Sequence, residues 1–319
     1  MKTVMIGLSG HFEYALPYMK EHGMVFDAIY ADPREKTAGG VGRLGKNGFD
    51  VRFVGSEEEL YKSSPDICIV NSIPGLNAGF AMDALKHGCS VFCEKPLATE
   101  KSDLEKLYWV YKSSGKHIAG MFGTSFTPHV AAAKSAVGLI GEPVLITAQK
   151  SYKLGDREDY YFDGKLFGGI IPWVSVHSLD WVYEITGLLP VSADGAVKTF
   201  HVEGRGDIEI EAVSSYNLSN GARLVATADY LRPAGAPTHD DDRIRIAGTK
   251  GVLEISGGRV KITDKDGEKE IENREAPDIY GEFIKGAGGQ PCFNTAEKAF
   301  ALTRWALEAR DSADGKSKN

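Results

Sequence analysis

Short apolar runs alternate with amphipathic stretches over residues 1–122. The runs at 3–6, 28–31, 51–54, 67–70, 90–93 and 117–122 are nearly continuously apolar and rich in strand-forming residues. Strands read this way when helices cover both faces of a parallel sheet. The stretches between them carry helix-end signals. Ser56 with Glu59, and Ser102 with Glu105, have the spacing of capping boxes, in which hydroxyl and carboxylate satisfy backbone N–H groups reciprocally. Gly23, Gly88 and Gly115 stand where helices should stop. Strand–helix alternation repeated five or six times predicts a doubly wound parallel sheet.

The pattern changes after residue 122. A helix at 130–139 precedes a strand at 144–150, an irregular Tyr- and Gly-rich stretch, and a helix at 173–186. From 191 to 271 the chain reads as successive strands. Asn220-Gly221, Lys250-Gly251, Gly257-Gly258 and Asp266-Gly267 supply the turns between them. Helices at 279–285 and 295–310 close the chain, and the small polar tail after Asp311 is expected to fray. Strands followed by segregated helices predict an α+β domain with a large, mainly antiparallel open sheet. A chain of 319 residues exceeds what one core supports. The expected division is therefore a dinucleotide-type domain over 1–122 and a second domain over 123–319.

Charge and cysteine usage narrow the setting. A formal charge of −7 argues against nucleic acid or an anionic membrane as partner, since both need a basic surface. Cys68, Cys89, Cys93 and Cys292 form no CxxC pair and read as structural thiols in a reducing compartment. The N-terminus lacks a signal-peptide pattern and no apolar stretch approaches a membrane span. A cytoplasmic protein is expected.

The first run ends in Gly7-Leu8-Ser9-Gly10-His11-Phe12, a departure from GxGxxG with serine and phenylalanine at the second and third glycine positions. Its context is that of a Rossmann dinucleotide loop: strand before, helix after, and Asp32 at the end of the second strand. Asp32 suits the adenosine ribose hydroxyls and favours NAD over NADP, while the neighbouring Arg34 keeps NADP open. The following helix would offer free N–H groups to a pyrophosphate. Pro17 interrupts that helix pattern.

Cys93-Glu94-Lys95-Pro96 follows the fifth run, where parallel α/β sheets bind ligands. Pro96 disfavours a helical conformation at Lys95 and so directs its stem. These residues, within HGCSVFCEKPLATEKSDLEKL, are accompanied by PHVAAAKSAVGLIGEP at 128–143 and GGIIPWVSVHSLDWVYEITG at 168–187. GTKGVLEI at 248–255 and the closing TAEKAFALTRWALEARDSADGK complete the set. Together they resemble the glucose–fructose oxidoreductase / inositol dehydrogenase / MocA family across nearly the whole chain. The resemblance implies NAD-dependent oxidoreduction, with Lys95 and His177 as catalytic residues. The implied cofactor set is Gly7, Ser9, Gly10, His11, Asp32, Ser72, Pro74, Asn77, Glu94 and Lys95. The implied substrate set is Lys95, Trp173, His177, Tyr152 and Tyr160.

Read by itself, His177 shares a helix side with Trp173, Asp180 and Trp181, as a core histidine would. Many relatives carry aspartate where Trp173 stands; tryptophan takes up no proton, so His177 lacks that partner. Ser125 stands where relatives often carry arginine. The stretch 152–167 either lines the pocket, with its tyrosines, Lys153 and Arg157 meeting hydroxyls or a carboxylate, or is a solvated loop. His239-Asp240-Asp241-Asp242 reads as a charged turn rather than a metal site. The expected reaction is hydride transfer between a nicotinamide and a hydroxyl-bearing carbon of a small sugar, polyol or related compound. Cofactor-retaining elimination or a non-catalytic nicotinamide sensor are the alternatives. The resemblance also implies homodimers or homotetramers through the C-terminal sheet, with alternating apolar residues over 224–230 covering its open face.

Overall fold

The computed structural model describes residues 1–315. Contacts divide the chain into two compact units. The first comprises Met1–Gly123, Lys165–Gly168 and Asp278–Thr303; the second comprises Thr124–Gly164, Gly169–Pro277 and the chain from Arg304.

In the first unit, β1 (Thr3–Ile6), β2 (Phe26–Tyr30), β3 (Ile67–Val70), β4 (Ser90–Cys93) and β5 (Ile118–Gly120) form an all-parallel sheet. Its order is β2-β1-β3-β4-β5. Every residue of β1, β3, β4 and β5 is buried, which accounts for the unbroken apolar runs. The connecting helices are α1 (Leu16–Glu21), α2 (Thr37–Lys46), α3 (Glu57–Tyr61), α4 (Pro74–Lys86) and α5 (Lys101–Ser114).

The strand expected at 51–54 shrinks to one bridge, Ile29 to Phe53. Phe53 is 45% exposed and Arg52 is exposed, so this run lies on an edge without the burial that sustains the others. Ser56 caps α3 as its spacing predicts, accepting from the Glu59 N–H. Ser102 does not cap: α5 begins at Lys101 with Glu100 as its N-cap. Gly115 ends α5 in the left-handed conformation.

The second unit begins with α6 (Pro128–Ala136). The short α7 (Gly164–Phe167) follows in the chain but belongs from Lys165 to the first unit, and α8 (Val176–Thr186) packs on β6. The eight strands are β6 (Pro143–Tyr152), β7 (Pro190–Val202), β8 (Gly206–Leu218), β9 (Arg223–Asp229), β10 (Asp240–Gly248), β11 (Gly251–Ser256), β12 (Arg259–Asp264) and β13 (Gly267–Ile271). Their order is β13-β12-β11-β10-β6-β9-β8-β7, with β6 and β9 parallel and the remaining pairs antiparallel. The four predicted turn dipeptides fall at the β8–β9, β10–β11, β11–β12 and β12–β13 connections.

Along β9, Leu224, Ala226 and Ala228 are buried, as is Tyr230 beyond it. These alternating residues therefore face the core and do not cover the open face, contrary to expectation. The outer face instead carries Thr147, Gln149, Val225, Thr227, Arg243 and Arg245 around a hollow of about 390 Å³. Finally, α9 (Ile279–Ala287) lies in the first unit, and α10 (Ala296–Ala313) runs across the boundary between Thr303 and Arg304. The helix persists past Asp311, and residues 316–319 of the tail expected to fray lie outside the described residues. Among the described residues no helix is long and apolar enough to cross a membrane.

Candidate active site

In the first unit, the carboxyl ends of β1, β3 and β4 deliver Gly7, Asn71 and Glu94 to one place. Gly7 has φ +82°, and a Cβ there would lie 2.4 Å from the Ser72 Cα. A Cβ on Gly10 would fall 2.2 Å from Glu94 Oε2 and 2.7 Å from Asn71 Oδ1. Gly7 requires glycine both for its positive φ and for the backbone packed against it, while a side chain at Gly10 would have to displace the Glu94 and Asn71 side chains.

The loop's donors are largely taken by the protein itself. The Leu8 N–H and the Ser9 hydroxyl donate to one oxygen of Glu35 at 2.8 and 2.9 Å, and the Ser72 hydroxyl donates to the other at 2.5 Å. The Ser9 N–H donates to the Asn71 carbonyl at 3.0 Å. The His11 N–H donates to Glu94 Oε2 at 2.7 Å, and His11 Nδ1 lies 2.7 Å from the same oxygen. Burial pushes the Glu35 carboxyl above its usual range, although the Ser72, Leu8 and Ser9 donors pull the other way. Burial also raises Glu94, but there the charge and hydrogen bonds of His11 and the charge of Lys95 prevail and hold it below its usual range.

The helix expected to begin at this loop starts later. A 3-10 turn over Phe12–Tyr14 intervenes, and α1 begins at Leu16 with Pro17 in its first turn, where the missing N–H costs nothing. Phe12 is fully buried under the Arg43 guanidinium, 4.5 Å from the ring centroid. The 3-10 turn, and not α1, therefore follows Gly10. Asp32 stands apart, bound by Arg34 through Nε at 2.7 Å and Nη2 at 2.9 Å. That fork holds the Asp32 carboxyl below its usual range. Both residues border a groove of about 420 Å³ alongside Gly75, Leu76 and Gly79.

Lys95 is 1% exposed, with its N–H on Glu94 Oε1 at 2.7 Å. Pro74 opens α4, and Asn77 on that helix donates weakly to the Glu94 and Pro96 carbonyls at 3.4 and 3.5 Å. Neither side-chain polar atom of Asn71, nor Oδ1 of Asn77, has a partner among the described residues, although both side chains are fully buried. Unmet buried amides beside a glycine cradle fit a ligand rich in polar groups, as a nicotinamide dinucleotide is.

In the second unit, His177 sits on α8, 2% exposed. Its Nδ1 lies 3.0 Å from the Thr124 hydroxyl, and the Trp181 indole N–H donates to the Thr124 carbonyl at 3.3 Å. The imidazole stacks on Trp181 with ring centroids 6.4 Å apart. A hydroxyl thus orients the ring where the sequence offered no carboxylate four residues earlier. Trp173 lies in a π-helical turn, Ile171–Ser175, that precedes α8, and is itself buried. Such turns recur at functional sites. The Tyr161 ring meets Trp173 edge-on at 6.3 Å, and Tyr160 stacks on Tyr161 at 4.6 Å. Tyr152, at the end of β6, stacks on His239 at 5.0 Å.

Lys150 is buried on β6, with its ammonium 2.6 Å from Asp242 and 3.3 Å from Asp240. It also lies 4.9 Å from the Tyr152 ring centroid and 5.3 Å from that of Trp181. Residues 240–242 are therefore strand, not a charged turn, and two of their carboxylates face a buried cation. Among the described residues no group of three or more His, Cys, Asp or Glu could hold a metal ion. Glu35, Thr124 and Lys150 escaped sequence reasoning. The side-chain hydrogen bonds of each run to residues 26 or more positions away, which no local spacing reveals.

Residues 1–122 match the profile described as an oxidoreductase family with an NAD-binding Rossmann fold, and residues 130–254 match the GFO/IDH/MocA C-terminal domain. A solved structure of an inferred oxidoreductase from Thermotoga maritima is 37% identical, covers 99% of each chain and superposes with a TM-score of 0.94. The inositol 2-dehydrogenase of Rhizobium meliloti is 23% identical over 72% of this chain and 78% of its own length. The myo-inositol 2-dehydrogenase of Thermotoga maritima is 26% identical over 70% of this chain and 67% of its own.

Proposed function

The chain belongs to the GFO/IDH/MocA oxidoreductase family and carries its NAD-binding Rossmann domain, and from this we propose that it oxidises, reversibly, a carbinol carbon of a small sugar, polyol or related hydroxy compound. NAD, when bound, supplies the hydride acceptor. Residues 1–122 serve as the dinucleotide domain and 123–319 as the substrate and oligomerisation domain, with the returning segment Asp278–Thr303 packed in the former unit.

His177 takes the hydroxyl proton as hydride leaves, a role in which a positioned acid/base contributes about 10²–10⁴-fold. Thr124 keeps the imidazole oriented for it. Lys95 hydrogen-bonds the developing alkoxide, a stabilisation that grows when water is excluded. Gly7, Ser9, Gly10, His11, Ser72, Pro74, Asn77 and Glu94 build the cofactor seat, and Asp32 takes the ribose. Trp173, Tyr152 and Tyr160 give the substrate its aromatic wall.

The observation that carries the reading is the Glu94 carboxylate, which joins the Lys95 backbone to the glycine loop through His11. A lysine placed as a mere surface residue needs no such anchor. A panel of sugars, polyols and hydroxy acids offered with NAD⁺ tests the proposal: at least one class reduces the cofactor. Lys95→Ala removes turnover while NADH binding stays within about twofold of wild type, because binding and chemistry separate. Unchanged turnover in that variant contradicts the role. The same reading places the protein in the cytoplasm as a dimer or tetramer through the outer face of the β6–β13 sheet. Light scattering that returns a monomer counts against the assembly.

A further inference from the structure

Arg157 is half-buried, with its guanidinium 5.1 Å from the Tyr161 ring centroid and 4.4 Å from that of Tyr230. Its Nη2 donates to the Lys153 carbonyl at 3.0 Å, and its buried Nε has no acceptor among the described residues. The Lys153 ammonium donates to the Ala236 carbonyl at 2.5 Å. Among the described residues neither cation forms an ion pair. Five nearby carboxylates are committed elsewhere. Asp240 and Asp242 take Lys150, Asp241 takes Arg232 and Arg243, and Asp156 and Asp159 take Arg205.

The charge of Arg157 and Lys153 is felt at His239. Burial, and then the charges of Arg157, Lys150 and Lys153 against the opposing Asp240, hold the His239 imidazole below its usual range. The Tyr230 hydroxyl, on a side chain 3% exposed, has no partner among the described residues. A half-buried guanidinium with an unmet N–H and no carboxylate is unfavourable unless something completes it. The rings connect it to the His177 helix within the same unit. Arg157 lies on Tyr161, Tyr161 meets Trp173, and Trp173 precedes His177 by four residues.

We propose that the substrate is a hydroxy acid, a polyhydroxylated or sugar-derived carbon chain whose carboxylate sits on Arg157. Lys153 and the Tyr230 hydroxyl assist it, and Trp173 and the tyrosines cover the carbon chain. This rests on the dehydrogenase reading and narrows its substrate class. The planar guanidinium fork matches the two oxygens of a carboxylate. Two cations, each already sharing a carbonyl, suit one negative charge better than a phosphate monoester carrying about −1.5 to −2 at pH 7.

The NADH complex is titrated calorimetrically with an aldonate, a uronate, a neutral polyol and a sugar phosphate, and the same compounds are offered with NAD⁺. The acids bind and are oxidised. Arg157→Gln raises their Kd and KM about 10–100-fold with kcat largely kept, as loss of a charge-assisted contact predicts. Arg157→Lys recovers part of the loss. NADH affinity and melting temperature match wild type in both variants, which separates lost charge from lost fold. Neutral polyols oxidised as well as the acids, with Arg157→Gln indifferent, overturn the hydroxy acid and leave the dehydrogenase standing. Acids that bind through Arg157 while no compound reduces NAD⁺ support the carboxylate seat and sink the redox role. Preference for the phosphate, or no binding by any acid, overturns the proposal.

Discussion

The donors of the glycine loop in the first unit are met from within the protein, although the Asn71 amide beside them is not, whereas the aromatic wall of the second leaves a cationic group unmet. At the loop, Glu35 and Glu94 satisfy Leu8, Ser9, His11 and Ser72, so the loop is held in shape before any ligand arrives. At the wall, Arg157 Nε and the Tyr230 hydroxyl are buried without partners among the described residues. A seat for one fixed cofactor gains from being preorganised. A seat that must choose among hydroxy compounds gains from groups that only the right ligand satisfies, because rejection then comes from what is left unpaired.

The largest change is expected at Glu35. Glu35→Ala leaves the Leu8 N–H and two hydroxyls without their acceptor, a loss of about 1–3 kcal/mol in stability. NADH affinity falls about tenfold through the loosened loop, equivalent to about 1.4 kcal/mol. Calorimetry and thermal unfolding read both, and an unchanged NADH affinity contradicts a role for Glu35 in shaping the loop.

Thr124→Val probes the other side. With its orienting hydroxyl gone, His177 keeps its place on α8 but loses its fixed ring, and kcat falls about tenfold with a displaced pH–rate profile. Thr124→Ser restores both. A pH profile identical to wild type reduces Thr124 to packing.

What was legible in the sequence follows from how local its cause is. The buried strands announced themselves because all four residues of β1, β3 and β4 are apolar or small, and the hairpins because glycine marks their turns. The Glu94-Lys95-Pro96 run was legible as a motif at a strand end. The run 51–54 misled because strand propensity says nothing of what will cover the strand, and only one bridge forms. The start of α1 misled because Pro17 and the bulk of Phe12 delay the helix until Leu16. Glu35 was overshadowed by Asp32, whose spacing matches the usual ribose acid, yet the structure gives the loop to Glu35 and gives Asp32 to Arg34. Thr124 had no signal, since its partner lies 53 residues away.

A smaller difference separates the two carboxylates of the loop. The Glu94 carboxyl is held below its usual range in the fold, so its contribution is present above the ordinary glutamate value and is lost as pH falls through the lowered one. The Glu35 carboxyl is raised, so the folded state holds its proton more tightly. Its contribution is present below the ordinary glutamate value and declines as pH rises through the raised one. Thermal unfolding across the acidic range reads the two separately. The advantage of wild type over Glu94→Gln grows with pH, whereas its advantage over Glu35→Gln shrinks. Parallel trends contradict the opposite environments.

The proposed function gives Lys95 and His177 parts in one and the same hydride transfer. A kinetic cycle of Lys95→Ala, His177→Ala and the double variant, on whichever substrate the panel identifies, tests this most directly. Groups that act as a unit are not additive, so the double variant is predicted to be no slower than the slower single one. Losses in kcat that multiply would contradict a shared step.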